Sequence, residues 1–80
     1  MHIQPICWSF AEERQCWIGK TNGLLSHIEM QVIPLHSAFQ ECLIDSSITG
    51  FKKYTVIGVE RAKEKAQELL NSYAMSLIIS

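Results

Sequence analysis

The segment 58–79 constrains this chain more than any other part of it. Val59, Ala62, Ala66, Leu69, Leu70, Tyr73 and Leu77 recur at steps of three and four, the spacing of one helix face. Between them stand Glu60, Arg61, Lys63, Glu64, Lys65, Gln67 and Glu68, which form a polar face suited to water. The pattern predicts a helix over about 59–77, with Gly58 at its N-cap. Glu60 falls in the first turn, where a carboxylate complements the helix dipole. Arg61 with Glu64, and Lys65 with Glu68, are three apart and expected to pair along the surface. One amphipathic helix cannot bury its stripe alone, so the residues before it must supply the other half of a core.

Those residues read as strands. The segment 3–10 is rich in β-branched and aromatic side chains, and Pro5 confines it to a sheet edge or a strand start because proline has no N–H to donate. A charged turn at 11–14 separates it from a second strand over 15–20, with Trp17 and Gly19 on one face and Cys16 and Ile18 on the other. Thr21-Asn22-Gly23 predicts a tight turn and antiparallel pairing of its flanks. In a third strand over 24–33, ended by Pro34, Ile28, Met30 and Val32 alternate with His27, Glu29 and Gln31, so one face is buried and the other wet. Leu35, Phe39 and Leu43 fit either a short helix or a strand over 35–44, and the strand is favoured. A loop over 45–50 leads to 51–57, which is a short strand or an extended approach to the helix. The predicted fold is α+β: one domain over 1–80, an antiparallel sheet of three to five strands, and a C-terminal helix across one face. Leu69, Leu70 and Tyr73 are expected to pack against Trp17, Ile28, Met30 and Val32.

Size and charge narrow the function classes. Eighty residues are close to the smallest chain that a hydrophobic core holds together without staples. A formal net charge of −1 exerts no global pull toward nucleic acid or an anionic membrane. Cys7, Cys16 and Cys42 are odd in number and match no C-x-x-C spacing, unlike a secreted disulfide framework. The start shows neither a basic nor an apolar signal region, and no run is long and apolar enough to span a bilayer. The expectation is a cytoplasmic protein with reduced thiols and no membrane partner.

The chemistry-bearing residues form no familiar constellation. Cys7 and Cys16 are nine apart, as are His27 and His36, whereas structural zinc ligands pair within a tight knuckle. His27 is expected on a wet strand face and His36 in a loop. A catalytic thiolate needs an imidazolium or a helix N-terminus beside it, and none of the three cysteines precedes the helix. Gly58 has no glycine-rich loop and no offset lysine around it, so it reads as a cap and not as a phosphate cradle. No catalytic, cofactor-binding or metal-binding residue is predicted.

One pattern spans most of the chain: Trp8, then Trp17-Ile18-Gly19, Gly23, Ile28, and Glu60-Arg61-Ala62-Lys63-Glu64-Lys65-Ala66-Gln67. Over roughly 6–73 it resembles a group of short phage and prophage proteins of uncharacterised function. The chain departs from that group at Leu70, where an aromatic is often found, and in its longer middle segment 31–50. The resemblance implies a mobile-element origin and a β-rich sheet backed by one helix, and it carries no catalytic motif.

The expected function is therefore non-enzymatic: binding and blocking a host protein, such as a component of an antiviral defence system, in the manner of an anti-CRISPR protein. Candidate partner-binding residues are Lys52, Lys53 and Tyr54, together with Met75, Ile78 and Ile79, where apolar side chains exceed what one stripe requires. A homodimer through a sheet edge or the C-terminal helix is a further expectation. The alternative is a single-stranded nucleic-acid or RNA-binding module that stacks bases on Trp8, Trp17, Phe51 and Tyr54 near Lys20, Lys52 and Lys53. A second alternative is a metal-stabilised structural domain.

Overall fold

A computed structural model describes residues 5–23, 25–36 and 38–79, with residues 78 and 79 described by backbone only. Strands β1 (Cys7–Ala11), β2 (Cys16–Lys20), β3 (Glu29–Pro34), β4 (Glu41–Ser46) and β5 (Tyr54–Ile57) precede a single helix, α1 (Val59–Ile79). Each strand pairs antiparallel with the one before it, giving a five-stranded sheet in the order β1-β2-β3-β4-β5. The helix packs across β3, β4 and β5. This is the α+β architecture that the sequence predicts, at the upper end of its strand range.

The connections depart from the sequence in instructive ways. The expected start of the first strand at Ile3 lies outside the described residues, and Pro5 precedes the ladder. The β1–β2 loop closes through Arg14 N–H to Ala11 O and Gln15 N–H to Glu12 O, with Gln15 left-handed at φ 51°. After β2, the tight hairpin turn predicted at 21–23 is replaced by a longer connection running to Ile28. Ser26 N–H bonds to Gly23 O and Ile28 N–H to Leu25 O, so the chain turns twice and buries Leu25 and Ile28 beyond the end of the sheet. Core burial thus outweighs continuation of the strand, which begins at Glu29 and not at 24. His27 consequently sits in this turn, exposed, and not on a strand face.

In the ambiguous stretch 35–44, the strand begins at Glu41 and the described residues before it form a loop. Asp45 and Ser46, expected in a loop, complete β4 because Met30 and Gln31 pair with Ser46 and Asp45. Ser46 Oγ also donates to Glu29 O at 3.1 Å.

Register sorts the side chains onto two faces. On one face, Trp8, Gly19, Met30 and Ser46 form a cross-strand row, and Phe10, Trp17, Val32, Ile44 and Tyr54 form the next. The helix lies over this face and contributes Ala62, Ala66, Leu70 and Ala74, all buried at a constant step of four. The alanines admit close approach of helix to sheet, and Leu70 fills the space between them. Leu69 and Tyr73, expected deep in the core, are only partly buried at its margin.

Leu77 is a correction: it is 52% exposed, and Ala74 occupies the buried position of that turn. The cause is length. At about 1.5 Å per residue a helix of 21 residues runs about 31 Å, whereas strands of this size reach roughly 17–20 Å. The last turns of α1 therefore overhang the sheet.

Two local devices fix the helix. Gly58 adopts φ 94°, accepts Ala62 N–H on its carbonyl and donates its own N–H to Gln40 O, both at 3.0 Å. A side chain there would be strained in that conformation. At the other end of the core, Ile6 N–H donates to Gln67 Oε1 at 2.8 Å, joining residues 61 positions apart. A Gln67→Ala change is expected to cost roughly 0.5–1.5 kcal/mol, the net worth of one such bond. In urea melts the midpoint should fall with the slope unchanged; an unchanged midpoint would show that the bond contributes nothing. The ion pairs seen on the helix among the described residues are Glu60 with Lys63 at 3.9 Å and Lys65 with Glu68 at 3.8 Å. The second is an expected pair, and Glu60–Lys63 stands in place of the Arg61–Glu64 pair that the spacing suggested.

Candidate functional site

The sheet's two faces offer different surfaces. The aromatic residues, expected from sequence as a possible base-stacking platform, lie mainly on the face that the helix occupies. Lys63 Nζ stands 3.7 Å from the centroid of Trp17, and Phe10 meets the same ring edge-on at 5.2 Å. Lys65 Nζ lies 5.4 Å from the centroid of Tyr54, which also neighbours Phe51 at 6.4 Å. Cation–π contacts of this kind hold the rings against the helix.

The opposite face is crossed by polar links. Arg14 reaches from the β1–β2 loop to Glu29 at 3.7 Å, and Gln31 Nε2 donates to the same carboxylate at 2.8 Å. Lys53 pairs with Asp45 at 3.8 Å. Ile18, Ile33 and Leu43 are half-buried on this face, and Cys16 is buried. The stems of long polar side chains can cover apolar surface while their heads stay in water.

The sequence-predicted partner residues are carried by two separate elements. Lys52 and Lys53 are exposed immediately before β5, and Tyr54 is 40% exposed beside Lys65. Met75, 55% exposed, is ten residues beyond Lys65 on the helix, about 15 Å along its axis. The side chains of Ile78 and Ile79 lie outside the described residues. Lys53 is thus drawn to Asp45 on one face and Tyr54 to Lys65 on the other, and Met75 is on the overhang.

A third exposed apolar group was missed. Phe39 is 70% exposed, Ile57 56% and Leu35 44%, and the three belong to segments that adjoin at one corner of the sheet. Backbone bonds bring them together: Leu35 N–H to Glu41 O at 2.9 Å and Gly58 N–H to Gln40 O at 3.0 Å. Ile57 is directly opposite Glu41 in register. His36 and Gln40 flank the loop with φ of 54° and 56°, left-handed conformations that cost non-glycine residues about 1 kcal/mol or more each. Phe39 stands exposed between them in sequence. A pocket opens beside it, lined by Pro34, His36, Gln40, Glu41, Cys42 and Val59. Leu35 and Phe39 had been read as members of an apolar stripe, and nothing local marks His36 or Gln40 as left-handed. That is why the corner was not visible in the sequence.

The thiols show little chemistry. Cys7 is exposed, Cys16 and Cys42 are buried, and all three are free. Burial pushes the Cys42 thiol up, so it stays neutral at the pocket floor and is a poor nucleophile. Among the described residues no three His, Cys, Asp or Glu side chains converge as metal ligands. No helix among them is long and apolar enough to cross a membrane.

No family model, curated protein or solved structure matches the chain.

Proposed function

We propose that this chain is a non-enzymatic binding protein of phage or prophage origin that occupies and blocks a host protein, with a component of an antiviral defence system as its target. The observation that carries the binding part is the corner of Leu35, Phe39 and Ile57, where three large exposed apolar residues stand on a loop with two costly backbone conformations and on the strand end beside it. Exposed apolar clusters on small proteins mark partner surfaces, and a few such anchors supply most of an interface's energy. The host-defence part rests on the sequence resemblance alone.

Base stacking is less well supported. The rings that would carry it lie mainly against the helix, and on the uncovered face Arg14 and Lys53 are engaged by Glu29 and Asp45.

Affinity capture from bacterial lysate, with wild type compared to a Phe39→Ser/Ile57→Thr double variant, tests the proposal. Wild type is expected to retain a host protein, and the variant to retain at least about tenfold less, since losing two anchors removes a few kcal/mol. The variant's circular dichroism should match wild type because both sites are exposed. Equal retention by the two proteins, or none by wild type, would sink the idea.

A further inference from the structure

We infer that Asn22-Gly23 is a site of spontaneous backbone modification, where the asparagine closes to a succinimide and reopens chiefly to isoaspartate, loosening the connection after β2. The inference is independent of the binding role proposed above.

The chemistry asks for an asparagine side chain that can reach the next backbone nitrogen. The Gly23 nitrogen attacks Asn22 Cγ, the Cγ–Nδ2 bond breaks, and the displaced nitrogen leaves as ammonia. Water then opens the cyclic imide at either carbonyl. One opening gives aspartate; the other gives isoaspartate, whose Cβ and Cγ carry the main chain. A side chain on the following residue crowds the attacking nitrogen, and glycine has none. Asn22 and Gly23 are both exposed, and a Cβ at Gly23 would meet nothing within 4 Å. Gly23 also adopts φ 93°, a left-handed conformation that favours glycine. The turn itself thus calls for the residue that leaves the nitrogen open.

The chain holds two asparagines, and the second provides the contrast. Asn71 lies within α1, where its Oδ1 accepts from Gln67 Nε2 at 3.0 Å. The nitrogen after it belongs to Ser72, inside the helix ladder. A fixed helical backbone and an engaged side chain both oppose ring closure there.

What flanks the site sets the consequence. Thr21 is 4% exposed and Leu25 8%, so the exposed pair is held between two anchored positions. Isoaspartate adds one atom to the main chain between them and places a free carboxylate on the turn. The extra atom displaces Gly23 O, which accepts Ser26 N–H at 3.1 Å. That bond begins the turn that carries Leu25 and Ile28 into the core.

Incubation of the folded protein at neutral pH and physiological temperature, sampled over days by mass spectrometry of proteolytic fragments, tests this. The fragment beginning at Thr21 is expected to gain, with time, the mass of water less that of ammonia. Electron-transfer fragmentation should show isoaspartate exceeding aspartate at position 22. The fragment holding Asn71 should stay unchanged, and Asn22→Gln should remove the gain. Modified protein separated by ion exchange should unfold at a lower urea midpoint than unmodified protein. Asn22→Asp, which adds the charge without lengthening the main chain, should unfold close to wild type. No gain at Asn22, or an equal gain at Asn71, overturns the modification site. A gain with an unchanged midpoint, or an equal fall in Asn22→Asp, overturns the loosening by the lengthened backbone.

Discussion

Truncation of Leu70 to Ala is expected to cost on the order of 2–5 kcal/mol of folding stability. Leu70 is the largest helix side chain that is fully buried, set between Ala66 and Ala74 and facing Met30, Val32 and Ile44 in one cluster. The alanines on either side cannot expand into the space it leaves, so most of the cavity persists. An 80-residue domain has roughly 4–12 kcal/mol in total, which makes this change sufficient to unfold a large fraction of the chain. Urea denaturation followed by circular dichroism is the direct measurement. The neighbouring Leu69→Ala should cost clearly less because Leu69 is only partly buried. Equal or reversed costs would mean that the helix presents a different face to the sheet.

Gly19→Ala is the second large effect, and it acts by overfilling. Gly19 lies in β2 between Trp8 and Met30, and a Cβ there would come within 2.5 Å of Ile6 Cγ2 and 2.7 Å of Trp8 Cζ3. Those separations are far inside van der Waals contact, so the indole and Ile6 must both move. The expected loss is about 1–3 kcal/mol, with a change in tryptophan fluorescence. A Trp8→Leu change alone should also destabilise, but combined with Gly19→Ala it should recover part of the loss, since the smaller side chain vacates the space. Strict additivity in that cycle would show that the two positions do not share the space. The tight fit also explains a glycine in an inner strand, where its conformational freedom is otherwise a disadvantage.

Periodicity made the helix and three of the strands legible because their side chains face uniform surroundings. The alternation of Ile28, Met30 and Val32 appears as burial of all three, even though Ile28 is not in the strand. Along the helix stripe Leu69 and Tyr73 fall at the margin of the core, and Leu77 falls outside it where the sheet beneath ends, a fact about the length of other elements and not about the helix. Strand ends were harder to read. Asp45 and Ser46 look like loop residues, yet their partners across the ladder settle their conformation. The candidate site was least legible of all. It depends on two left-handed residues and on bonds between 35 and 41 and between 40 and 58, none of which has a signature in local composition. The surplus apolar residues of the helix end drew attention to Met75, whereas the most exposed aromatic, Phe39, is in the segment that had two competing predictions.

The order of the strands has a consequence for how the chain is made. Because every strand pairs with the one synthesised just before it, the sheet can assemble hairpin by hairpin as the polypeptide leaves the ribosome, without waiting for distant partners. The helix that covers Met30, Val32 and Ile44 emerges after all five strands. For the time taken to translate and release α1, the nascent sheet carries a bare apolar face. The interval between the last strand and the last turn of α1 is therefore the period in which this protein is most exposed to aggregation and most dependent on chaperones.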